Sequence, residues 1–291
     1  MKTFRQNWLV LFFYFFISNS ITPAQDIQRP AMWGIPKMTY LVSDYTLAQR
    51  YYGDFLGFDK AFTYSSPLGD VVSYKVNDRQ FLEFIKDTQA KEKDRLVSVT
   101  FETENVEQMR LYLASKGVKV PEKITVDGAG NKVFLVHDPA GVPVEFLEWG
   151  PKSLHRGSKG KFLSPNRISE RIHHAGLYSL KLDDNPSFYT EILGFKTILR
   201  IPEDISLAPQ ILYFQIPGTA EFIEHYPTDT RAFSHPCFVA KDMQEVIYTL
   251  KERRKDEKLA NPMVGKGRRW LLNIYNSDGT RVEFTEMFLA K

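Results

Sequence analysis

Two stretches of this chain, residues 35–58 and 171–195, are versions of one segment. Each runs from a short apolar stretch through Asp to an aromatic pair, Tyr51-Tyr52 or Phe188-Tyr189, and ends on Leu-Gly-Phe. The repeat extends further, because Phe101 returns as Phe238 and residues 141–146 (GVPVEF) return as 279–284 (GTRVEF). The spacing barely changes along the chain (193 − 56 = 238 − 101 = 137; 279 − 141 = 138). Such a near-constant offset implies tandem copies of one fold, with a net adjustment of one residue between them.

Each half divides again into two similar units. In the first half, apolar and β-branched runs at 38–42, 70–76 and 80–85 surround a helical pattern at 46–55. The order repeats with runs at 96–102, 118–125 and 132–147 around a helix at 106–116, where Val106, Met109 and Leu113 share one face and Gly117 suits a left-handed cap. The second half follows the same plan: runs at 174–180, 196–200, 210–215 and 220–225 with a helix at 186–193, then 235–240, a helix at 243–254, and 269–286. The expected fold is therefore α+β, built from paired βαβββ units.

Residues 27–150 and 169–291 form the two expected domains. Between them, residues 151–168 are rich in Gly, Ser, Pro and basic side chains and read as a linker, with His155 as a solvated loop histidine. The mixed-charge run at 251–258 reads as a solvated face. Residues 1–24 place Lys2 and Arg5 before an apolar run at 8–17 and a Thr22-Pro23-Ala24 cleavage site, the order of a secretory signal. An uncleaved anchor is the alternative, though the apolar run is short for a bilayer. The expectation is a secreted protein, periplasmic or extracellular if bacterial, with no membrane association after cleavage.

Charge excludes one class of partner. The formal net charge is +3, and the signal carries two of those positive charges and no acid, so the mature chain is nearly neutral and unsuited to nucleic acid. Cys237 is the one cysteine, which rules out an internal disulfide and fits a buried small residue.

The paired units, the Asp-to-aromatic helix closing on Leu-Gly-Phe, and the Asp-Pro-x-Gly turn that leads from Asp138 to Glu145 resemble the vicinal oxygen chelate superfamily, which includes glyoxalase I, extradiol dioxygenases and bleomycin-binding proteins. The resemblance covers nearly all of residues 33–289. It implies cup-shaped mixed sheets with metal ligands on the first and last strands of the units. Carried over by position, these are His174, Glu221, His235 and Glu283 in the second half, with Glu221 and Glu283 also taken as catalytic and Glu221 as a fourth ligand, a general base or a plain strand carboxylate. The same offsets give Lys37, Glu83, Ser98 and Glu145 in the first half, a site that has lost two ligand types and that Lys37 holds by an ion pair. Exchange between halves leaves neither set complete, so pairing is expected within each half or between identical chains in a homodimer.

Strand alternation places His173 and Glu224 on the face opposite their neighbours His174 and Glu221, His225 on the Glu221 face, and Glu286 on the exposed side. Arg268 and Arg269, in a basic loop before the last strands, and Tyr213 and Tyr275 are candidate substrate contacts. The implied cofactor is a divalent metal, Fe, Zn, Ni or Mn, since imidazole and carboxylate ligands suit all four. The implied activity is a glyoxalase-like or dioxygenase-like reaction on a small oxygenated substrate, with a non-catalytic ligand-binding protein as the alternative.

Overall fold

The computed structural model describes residues 27–89, 94–179, 182, 187–226, 233–255 and 258–290. The signal segment 1–24, Pro186 of the expected helix and part of the charged run at 251–258 lie outside the described residues. Among the described residues, no helix is long and apolar enough to cross a membrane.

Each half forms its own eight-stranded curled sheet. The first contains β1 (Met32–Val42), β2 (Asp59–Ser66), β3 (Gly69–Lys75), β4 (Phe81–Lys86), β5 (Leu96–Thr103), β6 (Thr125–Val126), β7 (Lys132–His137) and β8 (Pro143–Glu148), in the order β2-β3-β4-β1-β5-β8-β7-β6. The second contains β9 (Ile172–Tyr178), β10 (Lys196–Ile201), β11 (Ile211–Gln215), β12 (Phe222–Tyr226), β13 (His235–Ala240), β14 (Met263–Val264), β15 (Arg269–Tyr275) and β16 (Arg281–Leu289), in the same order. Pairing is contiguous within each half. The first strands of the two units, β1 with β5 and β9 with β13, run antiparallel side by side at the centre of each sheet.

Helices cover the convex side of each sheet. The patterns at 106–116 and 243–254 become α2 (Val106–Ser115) and α4 (Met243–Arg253), started by Asn105 and Asp242, whose side chains accept from the first-turn N–H groups. Glu148 and Glu286 add to this, accepting from Val106 N and Met243 N. Glu286 is therefore a helix-capping group and is not simply exposed. The segment expected as a helix at 46–55 is one α-turn, α1 (Tyr45–Ala48), that widens into a π-helix at Gln49–Phe55, and Ser187–Ile192 is π-helical as well. Leu56 N reaches back to Tyr51 O, and Leu193 N to Phe188 O. These wide turns bury both members of each aromatic pair. The expected strand at 118–125 is reduced to Thr125–Val126, because Pro121 has no N–H for a ladder and its neighbours are mostly exposed.

The repeated motifs join the halves about a pseudo-twofold axis. Phe58 of the first Leu-Gly-Phe packs on Phe238 with ring centroids 5.1 Å apart, and Phe195 of the second packs on Phe101 at 5.3 Å. Tyr189 donates to Asp138 at 3.0 Å, while Asn276, which occupies the Asp138 place in the second half, donates to Tyr52 at 3.3 Å. Asp138 and Asn276 also close their own turns, Asp138 accepting from Ala140 N and Val142 N, and Asn276 from Asp278 N and Thr280 N.

Burial raises the Asp138 carboxyl to about 6 against the hydrogen bonds that hold it down, and burial lowers the neighbouring His225 to about 3, so this imidazole is neutral. A carboxyl raised on folding contributes fully below its unfolded value near 3.8, and that contribution is lost as pH rises through about 6. Asp138→Asn, which copies Asn276, is therefore expected to gain about 1–2 kcal/mol over wild type between pH 5 and pH 8. Urea melts at the two pH values check this, and equal pH dependence in both proteins would show that Asp138 does not titrate in this range.

Candidate metal centre

β9 and its neighbours aim four ligand-type side chains into the second cup. His174 sits opposite Phe222 on β12 and Cys237 on β13, and Gly176 sits opposite both Glu224 and His235. Glu283 on β16 lies beside Cys237. His174 Nε2 is 3.5 Å from Glu224 Oε2 and 3.6 Å from Glu283 Oε1, and His235 Nε2 is 3.7 Å from Glu283 Oε2. One donor atom from each of His174, Glu224, His235 and Glu283 lies within 4.8 Å of all the others. His174 Nε2 is buried and faces both carboxylates without a hydrogen-bond partner among the described residues.

The close approach at His235 depends on the residue opposite. A Cβ at Gly176 would stand 1.9 Å from His235 Cε1 and 2.5 Å from each ring nitrogen. Burial first, then the Arg281 and His174 charges, push the His235 imidazole far below its ordinary range, so it is neutral and can ligate. The two carboxylates diverge. Burial, aided by the Glu224 charge, raises Glu283, whereas the burial of Glu224 is outweighed by the neighbouring His174, Arg281 and Tyr213, which lower it.

Glu221 does not join this cluster. It precedes β12, accepts from Ile35 N at 2.6 Å and from Gln80 Nε2 at 3.1 Å, and ties the two halves together. Glu224 holds the position that the repeat offset assigned to Glu221. Strand register shows why: Glu83 pairs with Ser73 and Glu224 with Tyr213, so the counterpart of Glu83 lies 141 residues on (224 − 83). The longer β10–β11 and β11–β12 connections add four residues, and a shorter connection from β12 to β13 removes them again. The alternation argument itself holds, since Glu224 and Glu221 face opposite ways and buried His225 lies on the Glu221 side, bonded to Ser179 at 2.9 Å.

His173 departs from alternation. The pairing of β9 with β13 skips a residue between His174 and Ile172, a bulge that turns His173 toward the cup beside His174, with Nδ1 atoms 2.9 Å apart. Burial lowers the His173 imidazole to about 2. A cavity of about 170 Å³ opens onto the cluster at His174 and Glu283, walled by Ile198, Leu199, Phe222, Leu271 and Leu289, with His173, Tyr213, Arg269 and Thr285 as further polar groups. Tyr213 and Arg269 thus reach the cup. Arg268 points away in an exposed turn with φ 57°, and Tyr275 is 45% exposed at the rim, on the cup face near Arg281.

The first cup has the same geometry with different chemistry. Lys37 replaces His174, and its Nζ lies 3.0 Å from Glu83 and 3.1 Å from Glu145. Ser98 replaces His235 and faces Thr39 where the second half has Gly176. His155, expected in solvent, is 2% exposed and fills the space above these groups. Its Nε2 is 3.0 Å from Glu83 Oε1, its Nδ1 3.1 Å from Asn131, and its ring packs edge-on to Phe62 and Phe81. The expected linker is a folded plug: α3 (Leu154–Gly157) carries His155, and buried Lys75 holds the following turn through the carbonyls of Ser158 and Lys161. No spacing rule signals this contact, because Glu83 lies 72 residues from His155.

Residues 34–146, the first domain, match the family model of the glyoxalase/bleomycin resistance protein/dioxygenase superfamily. The second domain repeats that sheet strand for strand. The first half therefore carries a domain of that superfamily, and the second half repeats its fold. Among solved structures it is similar to homoprotocatechuate 2,3-dioxygenase of Brevibacterium fuscum in an anaerobic complex with 3,4-dihydroxyphenylacetate, at 18% identity and a TM-score of 0.68 over 89% of this chain and 82% of that one. It is similar also to the Arthrobacter globiformis enzyme, at 16% identity and a TM-score of 0.68 over 89% and 81% of the two chains. No curated protein matches. The part that matches the family model is the half with Lys37 in its cup, and the four-ligand cluster lies in the other half.

Proposed function

We propose that this chain is an exported metal-dependent enzyme whose second domain binds a divalent ion through His174, Glu224, His235 and Glu283 and acts on a small oxygenated organic substrate. The observation that carries the reading is the convergence of these four side chains around the buried, unpartnered Nε2 of His174. Two imidazoles and two carboxylates suit Fe, Zn, Ni or Mn. The ion supplies Lewis-acid stabilisation of negative charge on substrate oxygens.

The chain's own groups supply the rest. The apolar wall of Ile198, Leu199, Leu271 and Leu289 takes the substrate body and keeps water out, and Arg269 stands at the same cavity for an anionic substituent. Lyase, isomerase and dioxygenase chemistry all draw on that Lewis-acid role.

Metal analysis of the purified protein tests the reading. One equivalent of divalent metal is expected in wild type, with most of it lost in His235→Ala at an unchanged circular dichroism spectrum. Metal-free wild type that retains a small organic ligand would point to a sequestering protein. Oxygen consumption during turnover separates dioxygenase from lyase or isomerase chemistry.

A further inference from the structure

We infer that Arg281 is an internal cation of the second-domain site whose charge competes with a metal for Glu283, which makes it the residue that sets metal affinity. The inference rests on the metal-site reading above.

Arg281 lies two residues before Glu283 on the cup face of β16. Its Nη2 reaches His235 Nε2, the same nitrogen that faces Glu283, and lies 2.9 Å from Nδ1. The guanidinium is also 3.8 Å from Glu283 Oε2 and 3.3 Å from the Tyr226 hydroxyl. It therefore lies against the His235 ring and partly neutralises Glu283, as a bound ion would. Two cations beside one carboxylate repel each other, so the guanidinium and a metal compete for Glu283.

Two observations distinguish this contact from a permanent structural ion pair. Arg281 Nε is buried with no hydrogen-bond partner among the described residues, so the arginine is incompletely satisfied where it stands. Its strand neighbour across the sheet is Tyr275 at the open rim, which leaves the side chain a route outward when displaced. The first domain shows the permanent alternative. There Pro143 holds the Arg281 position, opposite His137, and the neutralising cation is Lys37, which has replaced the ligand outright. The second domain keeps both histidines and draws its cation from a position that carries no metal ligand.

The test titrates Co²⁺ into the metal-stripped full chain and follows ligand-field absorption and heat. Arg281→Gln is expected to bind Co²⁺ roughly ten- to hundredfold more tightly than wild type, the equivalent of one lost hydrogen bond to a charged group. Without metal it should melt at a lower temperature than wild type. Arg281→Lys, which keeps the charge on a shorter reach to His235, should fall between the two and also stands in if the glutamine variant misfolds. Equal or weaker Co²⁺ binding by both variants would overturn the role of Arg281, while leaving the metal site intact if His235→Ala abolishes binding. Binding that survives His235→Ala, or is absent from wild type and both Arg281 variants, would overturn the metal site and this inference together.

Discussion

Replacing Lys37 by Met should destabilise the first domain by about 3–5 kcal/mol, which is the usual consequence of leaving buried charge unpaired. Lys37 is 3% exposed and Glu83 fully buried, and the lysine is the one cation that bridges Glu83 to Glu145. Burial works against the ammonium, yet the Glu145 and Glu83 charges outweigh it and hold Lys37 well above its ordinary range. Burial likewise opposes the Glu83 carboxylate, and Lys37 with His155 and Tyr64 overcomes that penalty and drives it far down. Methionine keeps the stem and removes the charge, so two carboxylates would then share one dry cup.

The expected readout is a drop of about 10 °C in Tm, measured by circular dichroism on the full chain. A second variant separates lost charge from lost packing. Lys37→Met with Glu83→Gln and Glu145→Gln should recover most of the stability, because a neutral set of similar shape leaves no uncompensated charge. A Tm within about 1 °C of wild type for the single variant would show that Glu83 and Glu145 take up protons at little cost, and the cup would then owe its stability to the His155 plug.

The duplicated fold was readable because strand and helix patterns, Leu-Gly-Phe and the two tight turns recur in register, and each motif has a structural duty. The phenylalanines cross to the other half, and the turn residues Asp138 and Asn276 receive the tyrosines Tyr189 and Tyr52. His174, His235 and Glu283 were readable for the same reason, since the connections that separate them from the motifs have matching lengths in both halves. Glu224 was hidden because its strand lies between a lengthening and an equal shortening of the chain, and an offset sampled outside that interval shows neither. The bulge that turns His173 into the cup depends on the pairing of β9 with β13, which a one-dimensional period of two cannot record. His155 looked like a solvated loop residue because composition describes a segment's average polarity. Its burial comes from a concave sheet far away in sequence whose own ligands had been replaced.

Gly176→Ala should weaken metal binding by the second domain roughly ten- to hundredfold or more while leaving the fold intact. The glycine is not needed for its backbone conformation, since it lies within β9 and is absent from the positive-φ residues. Alanine would by itself favour the strand slightly. The added Cβ would nevertheless meet the His235 ring at 1.9 Å, so the ring has to give way. His235 must then rotate away, and its Nε2 leaves Glu283. Metal affinity is expected to fall roughly ten- to hundredfold or more, by analogy with the loss of ligand orientation at other metal centres. The chain itself supplies the control: where the first half has Ser98 in place of His235, it has Thr39 in place of Gly176. A Gly176→Thr, His235→Ser double variant copies that pair and should fold with near wild-type Tm but take up no metal. Wild-type metal affinity in Gly176→Ala would mean that His235 is not a ligand, and the ion would then have to be held by His174 and the two glutamates alone.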